Sequence, residues 1–381
     1  MTAPHAKQSG FTLVELLVVM AISLIALAAI YGIFISSSDQ ARRTQQITDM
    51  WQQAQAAMNM VTDTARQAGY GLDSGGCSQT LATVNGGNST INFVPIQAIT
   101  QSAPQYDPTV AHTVSTQSLT VRMATSTNSG FSATSITAAP ANTAATFFVD
   151  NTSGLAVNDL LLIKMQNGIC AVAQITGPTN LGNGANTVVH NSGNNNYNIA
   201  GGIAALGQNA NPPVTVTAQD LYGASLYDMG QGNNTYTFSI SNSTTIGGTA
   251  TATPTLMLTT QTATATSAAK HAIATGIVDL QFLFGYALNP GQPLEYGPWD
   301  ATQVSFIRSV RIYMLARSPV QFRDYHAPAS IPLYNLPSAQ SVTGSALSAA
   351  YTVPSTDQGY RYQLFQNEIP LLNLVWAASP S

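Results

Sequence analysis

The strongest constraint in the sequence is an apolar run near the N-terminus, from Phe11 to Ile35, in which Glu15 is the only charged residue. As an α-helix that rises about 1.5 Å per residue, this run extends about 37 Å, enough to cross the hydrocarbon core of a bilayer. A secretory signal peptide has a shorter apolar core of about 7–15 residues. The run therefore predicts a membrane-spanning helix. Lys7 lies before it and Arg42 and Arg43 after it, so positive charge alone does not decide its orientation.

The chain as a whole is poor in charge, which excludes several classes of function. Of its 381 residues only 7% are charged, against about 25% in an average protein, and the formal net charge is -4. No basic cluster is present to neutralise phosphates, so a nucleic-acid partner is not expected. Two cysteines are too few for a cysteine-rich scaffold or a four-thiolate zinc site, although they allow one disulfide. The length allows two domains, or one long β-rich domain with insertions.

The sequence carries no specific catalytic or metal-binding motif. It has no G-x-S-x-G elbow, no G-x-x-x-x-G-K-[ST] phosphate loop and no H-E-x-x-H zinc motif. Asp220 and Asp228 flank a Gly/Asn-rich stretch with oxygen ligands of the kind calcium prefers, but the EF-hand spacing is absent. The histidines are scattered along the chain, at His5, His112, His190, His271 and His326. We therefore predict no catalytic residue, no metal and no cofactor.

The start of the apolar run forms a distinctive junction. A short polar leader ends at Gly10, Phe11 opens the apolar helix, and Glu15 is the fifth residue after the glycine. This arrangement closely resembles the class III signal of type IV prepilins and type II secretion pseudopilins. The resemblance implies that prepilin peptidase cuts the leader after Gly10 and that the new N-terminal Phe11 is N-methylated. It also implies that the remainder stays in the inner membrane with its C-terminus in the periplasm.

Glu15 has a physical reason to require a partner. An ionised carboxylate near the centre of a membrane-spanning helix costs about 2.5–3.5 kcal/mol, and less toward an end. Cleavage after Gly10 would create an α-amino group on Phe11, one helical turn away. In a filament the amine of a neighbouring subunit could take its place. The alternative is a glutamate that snorkels to the cytoplasmic interface and complements the helix N-terminus.

Beyond the membrane, residues 36–70 are predicted to continue as an amphipathic helix. Apolar residues recur at spacings of four and three and form one stripe, which consists of Ile47, Trp51, Ala54, Met58, Val61, Ala65 and Ala68. Gly69 and Gly71 then end the helix, since glycine readily takes the left-handed conformation of a helix C-terminus. We expect the stripe to pack against the protein's own sheet, and a short coiled coil is the alternative.

The rest of the sequence alternates strand-like runs with turns. Residues 74–106, 165–219 and 229–269 lack charge and are rich in Thr, Ser, Asn and Gly, as in secreted β-rich proteins or flexible linkers. Residues 180–211 are dense in Asn and Gly and are predicted as loop. The predicted strands are Ile91–Ile99, Ser118–Met123, Ala145–Val149, Leu160–Met165, Ala171–Ile175, Val214–Thr217, Tyr236–Ile240, Thr255–Thr259, Ile277–Phe284, Val310–Ala316 and Tyr360–Ile369.

Three C-terminal segments resemble the PilW family of minor pilins. They begin at Gly276, Ile307 and Tyr360 and read Gly-Ile-Val-Asp-Leu-Gln-Phe, Ile-Arg-Ser-Val-Arg-Ile-Tyr-Met-Leu-Ala-Arg-Ser and Tyr-Arg-Tyr-Gln-Leu-Phe-Gln-Asn-Glu-Ile-Pro. The run Arg66-Gln-Ala-Gly-Tyr-Gly, followed shortly by Cys77, is similar as well. The middle of the chain, from about residue 80 to residue 270, carries no motif of the PilW family, and we expect insertions there.

The predicted fold is therefore α+β, with a long N-terminal transmembrane and amphipathic helix packed on an antiparallel β-rich, pilin-like head that carries large insertions. Its predicted divisions are a leader at 1–10, a transmembrane helix at 11–35, an amphipathic periplasmic helix at 36–70 and a head at 71–381.

On this resemblance, Cys77 and Cys170 both lie in the periplasm. In that oxidising compartment an even number of thiols usually pairs. A bond between them closes a loop of roughly 94 residues, and the chain-entropy model assigns a loop of about that size roughly 4.7 kcal/mol. Two separate free cysteines are the alternative, since the sequence does not show the distance between their Cα atoms.

The resemblance implies a non-enzymatic structural protein, a minor pilin in the tip or priming complex that helps to initiate a type IV pilus. Expected partners are prepilin peptidase, the other minor pilins, the major pilin, the inner-membrane assembly platform, membrane lipid and a large tip adhesin. The protein would pass from the inner membrane to the pilus tip at the cell surface. Two alternatives stay open: a minor pseudopilin of a type II secretion system, and a tip adhesin or ligand-binding module.

Overall fold

The computed structural model describes residues 13–70, 77, 79–81, 94–101, 116–124, 134–143, 146–181, 186–193, 197–210, 212–230, 233–241, 244–246, 249–251, 253–261, 268–289 and 291–373. Gly10, Phe11 and the predicted leader lie outside the described residues. The chain divides into two compact units between Gln52 and Gln53, within one continuous helix.

Helix α1 runs from Leu13 to Arg66. Its N-terminal part is rich in Leu and Ala, which are good helix formers, and proline does not interrupt it. A turn follows, in which Gly69 has the left-handed φ of 77° predicted for the helix end. The Gly69 N–H donates to the Arg122 carbonyl at 3.0 Å, which joins the helix end to the head. Gly71, the second predicted helix-ending residue, lies outside the described residues.

The strands follow α1 in two groups. The first group is β1 (Gln79–Leu81), β2 (Ile96–Thr100), β3 (Gln117–Ala124), β4 (Thr134–Ala138), β5 (Thr146–Val149), β6 (Leu160–Lys164), β7 (Ile169–Gln174), β8 (Thr187–Val189), β9 (Ser225–Asp228) and β10 (Asn233–Ser241). The second group is β11 (Thr244–Ile246), β12 (Thr249–Thr251), β13 (Thr255–Gln261), β14 (Ala269–Thr275), β15 (Ile277–Tyr286), β16 (Glu295–Gly297), β17 (Ile307–Arg317), β18 (Ser330–Leu336), β19 (Leu347–Thr352) and β20 (Tyr362–Pro370).

In the described ranges these strands form five sheets. Their strand orders are β1-β7-β6-β9-β4-β5-β8, β14-β13-β10-β3-β2, β11-β12, β16-β15-β17-β20 and β18-β19. The recorded strand pairs are antiparallel, except that β1 runs parallel to β7. The long N-terminal helix and the large antiparallel β-rich head confirm the predicted α+β fold.

The seven-stranded sheet and helix α2 (Gly202–Gln208) share a hydrophobic core, to which Ile203 and Leu206 of the helix contribute. Both β8 and α2 fall within residues 180–211, so the prediction of loop there is wrong. Burial of Ile203 and Leu206 against the sheet outweighs the turn-forming composition around them. The predicted strand Val214–Thr217 is also wrong, because those residues pair with no strand in the described chain.

Strand β15 is the most deeply buried strand of the four-stranded sheet. Every residue from Ile277 to Tyr286 is buried, because the sheet is covered on both faces. On one face the β18–β19 hairpin contributes Leu333 and Tyr351, which pack with Leu315 of β17. A strand buried on both faces reads as an almost continuous apolar run, which is why the sequence predicts it well.

Gly276 allows the close approach of two strands just before β15. Its φ is 79°, and a Cβ there would lie 2.6 Å from the carbonyl oxygen of Arg317. The Gly276 carbonyl accepts a hydrogen bond from the Arg317 N–H at 2.7 Å. Any other residue would combine a strained backbone with a steric clash.

The C-terminal part of α1, from Gln53 onward, packs into the head. Its buried apolar residues are Ala54, Ala57, Met58, Val61 and Ala65, and Ala68 is buried in the turn that follows. At the margins, Asn367 Nδ2 donates to Thr62 Oγ1 at 3.3 Å, and Thr275 Oγ1 donates to Gln53 Oε1 at 2.9 Å. The structure confirms every residue of the predicted stripe from Ala54 onward.

Trp51 does not belong to the buried face of the helix. It exposes 47% of its surface, whereas the neighbouring Met50 exposes 7%. The prediction that Trp51 packs in the stripe is wrong. Stripes through Met50 and through Trp51 both reach Ala54 at helical spacing, so periodicity did not distinguish them.

Candidate functional site: the N-terminal apolar segment and the head that follows it

The N-terminal part of α1 is an apolar surface without cover in the described structure. Its large apolar side chains between Leu13 and Ile35 expose 44–77% of their surface. In the described part of the chain, α1 is the one helix long and apolar enough to span a membrane, with a mean hydropathy of 2.8 over its most apolar window. Apolar surface of this extent requires lipid or other apolar helices around it. The segment therefore fits a membrane anchor.

Glu15 lies in the first turn of α1. A negative charge there is favoured by the partial positive charge at a helix N-terminus. The hydroxyl of Ser23, another polar group of the segment, donates to the Val19 carbonyl at 2.7 Å and is thus satisfied within the helix. Gly10 and Phe11, the predicted cleavage and methylation residues, lie outside the described residues. The structure thus places one of the three predicted residues of the junction.

Cys77 and Cys170 form a disulfide, with their Cα atoms 5.5 Å apart. Cys170 is fully buried on β7, and Cys77 packs partly buried in the same cluster as Leu160, Val172 and Tyr197. The bond attaches the chain that follows α1 to the seven-stranded sheet. Both predicted disulfide residues are therefore brought together.

A charged cluster that the sequence did not predict lies on the four-stranded sheet. Arg311 of β17 pairs with Glu368 of β20, with 2.8 Å between Nε and the carboxylate oxygen. The Arg311 guanidinium lies 3.6 Å from the centre of the Tyr296 ring, and the Tyr296 hydroxyl donates to Glu368. Burial opposes ionisation of Glu368, but the hydrogen bonds from Tyr296 and Arg311 hold its pKa below the ordinary value. The paired residues lie far apart in sequence, so local patterns gave no signal.

Further titratable groups are buried inside the head. Burial raises the pKa of Asp279 to about 7, and only 1% of this residue is exposed. Burial, together with the nearby Asp228, raises the pKa of Asp159 to about 6. Burial lowers the pKa of His190 to about 4, and its ring stacks on Phe147 at 4.0 Å. These groups lie within the packed core of the head.

The described residues contain no cluster of three or more His, Cys, Asp or Glu side chains that could hold a metal ion. Asp220 and Asp228, weighed above as calcium ligands, have separate structural contacts. Asp220 accepts hydrogen bonds from the backbone and hydroxyl of Thr217, and Asp228 accepts one from the Gly230 N–H. Their environments give no support to a shared cation.

Two family matches agree with this arrangement. The family described as "Prokaryotic N-terminal methylation motif" matches residues 5–31, which include Glu15 and the start of the exposed helix. The family described as "Type IV Pilus-assembly protein W" matches residues 237–373, from β10 to the end of the four-stranded sheet. No curated protein and no solved structure matches the chain significantly.

The methylation motif, the apolar helix and the β-rich head define a type IV pilus-related pilin of the prepilin class. Such a protein is membrane-anchored through its N-terminal helix. Within that class, the match over residues 237–373 supports a likeness to the PilW type IV minor pilins.

Proposed function

We propose that the protein is a non-catalytic subunit of the tip or priming complex and helps to initiate pilus assembly. The observation that carries this proposal is the combination, in one chain, of a methylation motif on an exposed apolar helix and a PilW-type match in the head. The first feature supports entry into a bundle of similar helices. The second feature, the PilW-type match, supports a particular kind of pilin head, which the methylation motif alone does not specify.

The proposed mechanism begins with processing. Prepilin peptidase cuts after Gly10, and the amine of Phe11 is methylated. The protein then lies in the inner membrane with its head in the periplasm. On assembly, the exposed apolar side chains of α1 exchange lipid for neighbouring pilin helices, and Glu15 pairs with the amine of a neighbouring subunit. A carboxylate among apolar helices favours a cationic partner strongly, because a medium of low dielectric constant strengthens the attraction between opposite charges.

The proposed partners follow from this location. They are prepilin peptidase, the other minor pilins, the major pilin, the inner-membrane assembly platform and a large tip adhesin. The assembled protein lies at the pilus tip, at the cell surface.

N-terminal mass spectrometry tests the first step. In a host with prepilin peptidase, the mature chain begins at methylated Phe11, and the formal net charge becomes -5, because the leader carries Lys7 and the total is -4 with it. The matched control is Gly10→Val, which keeps the apolar run but removes the cleavage residue. Recovery of intact Met1 or Thr2 from the wild-type chain contradicts the proposal.

A deletion strain tests the role in assembly. Loss of the gene reduces the number of surface pili, and the full chain restores it. Normal pilus number with a defect in protein secretion instead identifies a type II secretion pseudopilin. Normal pili and normal secretion contradict the priming role.

A second candidate, a ligand-binding tip module, has one supporting observation. The seven-stranded sheet has its own hydrophobic core and lies outside the family match at 237–373. The full chain in detergent can be compared, by binding to immobilised neutral glycans, with a variant that lacks residues 134–230. Equal binding by the two proteins rejects this candidate.

A further inference from the structure

The two edges of the four-stranded sheet differ in how their backbone groups are satisfied. β20 lies at one end of the strand order, with β17 as its only neighbour among the described strands. On the opposite side of the sheet, β16 pairs with the end of β15. Earlier along β15, two side chains accept hydrogen bonds from its backbone. Thr116 Oγ1 accepts from the Leu280 N–H at 3.1 Å, and Gln117 Oε1 accepts from the Phe282 N–H at 2.7 Å. One edge is therefore closed by strand pairing and by side chains.

The alternation along β20 decides which of its backbone groups face the open edge. Just outside the strand, the Arg361 carbonyl accepts from the Ser318 N–H, and the Leu371 N–H donates to the Arg308 carbonyl. Backbone groups alternate sides along an antiparallel strand, so odd-numbered residues bond to β17 and even-numbered residues face outward. The outward residues are Tyr362, Leu364, Gln366, Glu368 and Pro370.

These outward groups form an open edge. In the described structure no backbone acceptor lies opposite the N–H groups of Leu364, Gln366 and Glu368. Gln366, Glu368 and Pro370 are exposed. Pro370 occupies an outward position, where its missing N–H costs no internal hydrogen bond. An edge whose outward N–H groups have no strand opposite them is a template for an additional strand.

A groove of about 380 Å³ lies beside this edge and is lined by Arg311, Tyr313, Gln366, Asn367 and Glu368. The Arg311–Glu368 ion pair leaves the groove without net charge. Its guanidinium, phenol, carboxamide and carboxylate groups offer both donors and acceptors. An uncharged side chain that can donate and accept, such as Asn, Gln, Ser or Thr, is complementary to this lining.

We propose that β20 accepts an extended strand from the head of a different pilus subunit, with an uncharged polar side chain of that strand in the groove. In this mode main-chain hydrogen bonds provide affinity and a pocket for alternate side chains provides specificity. The proposal rests on the proposed function, since the strand comes from the same assembly. A second copy fits less well. Two antiparallel β20 strands centred on Gln366 place Pro370 opposite Tyr362, and each such pair lacks one hydrogen bond.

Proline substitutions separate the edge from the fold. Gln366→Pro removes an outward N–H and fills its place with the ring, which blocks an added strand but leaves the β17–β20 ladder intact. The thermal midpoint of the purified full chain should stay unchanged. Gln366→Ala removes the same side chain and keeps the N–H. Asn367→Pro removes an N–H that faces β17 and should lower the midpoint, which checks the assignment of the two sides.

Photo-cross-linking in the host membrane tests the pairing. The full chain carries benzoylphenylalanine in place of Leu372, which is exposed just after β20, and mass spectrometry identifies the residue to which it couples. We expect a product with one other pilus subunit that is retained with Gln366→Ala and lost with Gln366→Pro. Retention with Gln366→Pro, a product of two copies of this chain, or no product above that from position 348 on β19 overturns the proposal.

Amide hydrogen exchange provides a second measurement that needs no variant. Peptides covering residues 362–370 should exchange more slowly in membranes that contain the other pilus subunits than in the purified chain, and equal rates overturn the proposal. Failure of the proposed function is read separately, from pilus number in the deletion strain. Neither the cross-linking nor the hydrogen-exchange measurement on β20 depends on the number of pili.

Discussion

The N-terminal apolar segment and the four-stranded sheet are both rich in apolar residues, but they use them in opposite ways. Large apolar side chains from Leu13 to Ile35 expose at least 44% of their surface, whereas every residue of β15 is buried. The sheet completes its core within the chain. The exposed side chains of the helix segment are of the kind that lipid or other apolar helices cover. The difference teaches that the same composition can stabilise a head or drive an assembly, depending on whether a packing partner exists in the same molecule.

The largest effect on assembly that follows from this comparison concerns Glu15. Glu15→Ala should leave the protein inserted in the membrane, because removal of a charge makes insertion easier. It should nevertheless reduce assembly, since a charge-assisted hydrogen bond is worth about 1.5–3 kcal/mol, or roughly 10–150-fold in an equilibrium constant. The measurements are membrane fractionation, pilus number and thermal unfolding of the full chain. Asp39→Ala, which removes an exposed acid beyond the apolar segment, is the control. Normal pili with Glu15→Ala would contradict the pairing.

The disulfide should give the largest effect on the stability of the head. Its sequence separation is 93 residues, and the chain-entropy model assigns a loop of about that size roughly 4.7 kcal/mol. Cys77→Ser with Cys170→Ser should lower the free energy of unfolding by an amount of that order, measured with denaturant. Reductant should weaken the wild type and leave the double variant unchanged. Two free thiols per unfolded, unreduced chain would show that the bond does not form.

A pair of substitutions on α1 compares its buried and exposed sides. Met58 is 3% exposed and Trp51 is 47% exposed. Met58→Ala should cost about 2–5 kcal/mol, as for other buried Met-to-Ala changes. Trp51→Ala should cost clearly less, although it removes more atoms. Denaturant unfolding of the full chain in detergent measures both. A larger loss for Trp51→Ala would place that side chain in a contact that matters for folding.

The last effect is a dependence of stability on pH that arises from buried acids. Asp279 has its pKa raised from 3.8 to about 7 by burial. A raised folded-state pKa means that the folded state holds this proton more tightly than the unfolded state. The stabilising contribution is therefore complete below about pH 4 and is lost as pH rises toward 7. Asp279→Asn should reduce the slope of stability against pH in this window and make the protein more stable than wild type at pH 8.

Asp159 serves as the comparison for that experiment. Its pKa is raised to about 6, in the same direction, so Asp159→Asn should reduce the slope mainly below pH 6. Identical slopes for wild type and Asp279→Asn would mean that this carboxyl group is not held protonated in the core.

Local patterns predicted the helices and strands whose burial repeats regularly. β3, β6, β13, β15, β17 and β20 were predicted within a few residues, because runs of apolar or alternating side chains report a buried strand directly. Short strands such as β8 and the helix α2 were missed. Their residues have turn-forming neighbours, and contacts from distant parts of the chain, such as the burial of Ile203 in the core of the seven-stranded sheet, decide their structure.

The sequence by itself determined the class of protein, because the prepilin junction is local. Gly10, Phe11, Glu15 and the apolar run that follows are adjacent in the chain, and their chemistry does not depend on the fold of the head. The tertiary structure alone decided which side of α1 is buried, how Arg311 meets Glu368, and which edge of the four-stranded sheet stays open. Each of these depends on contacts between residues far apart in sequence. Spacing along one segment carries no information about the partner that another segment brings to it.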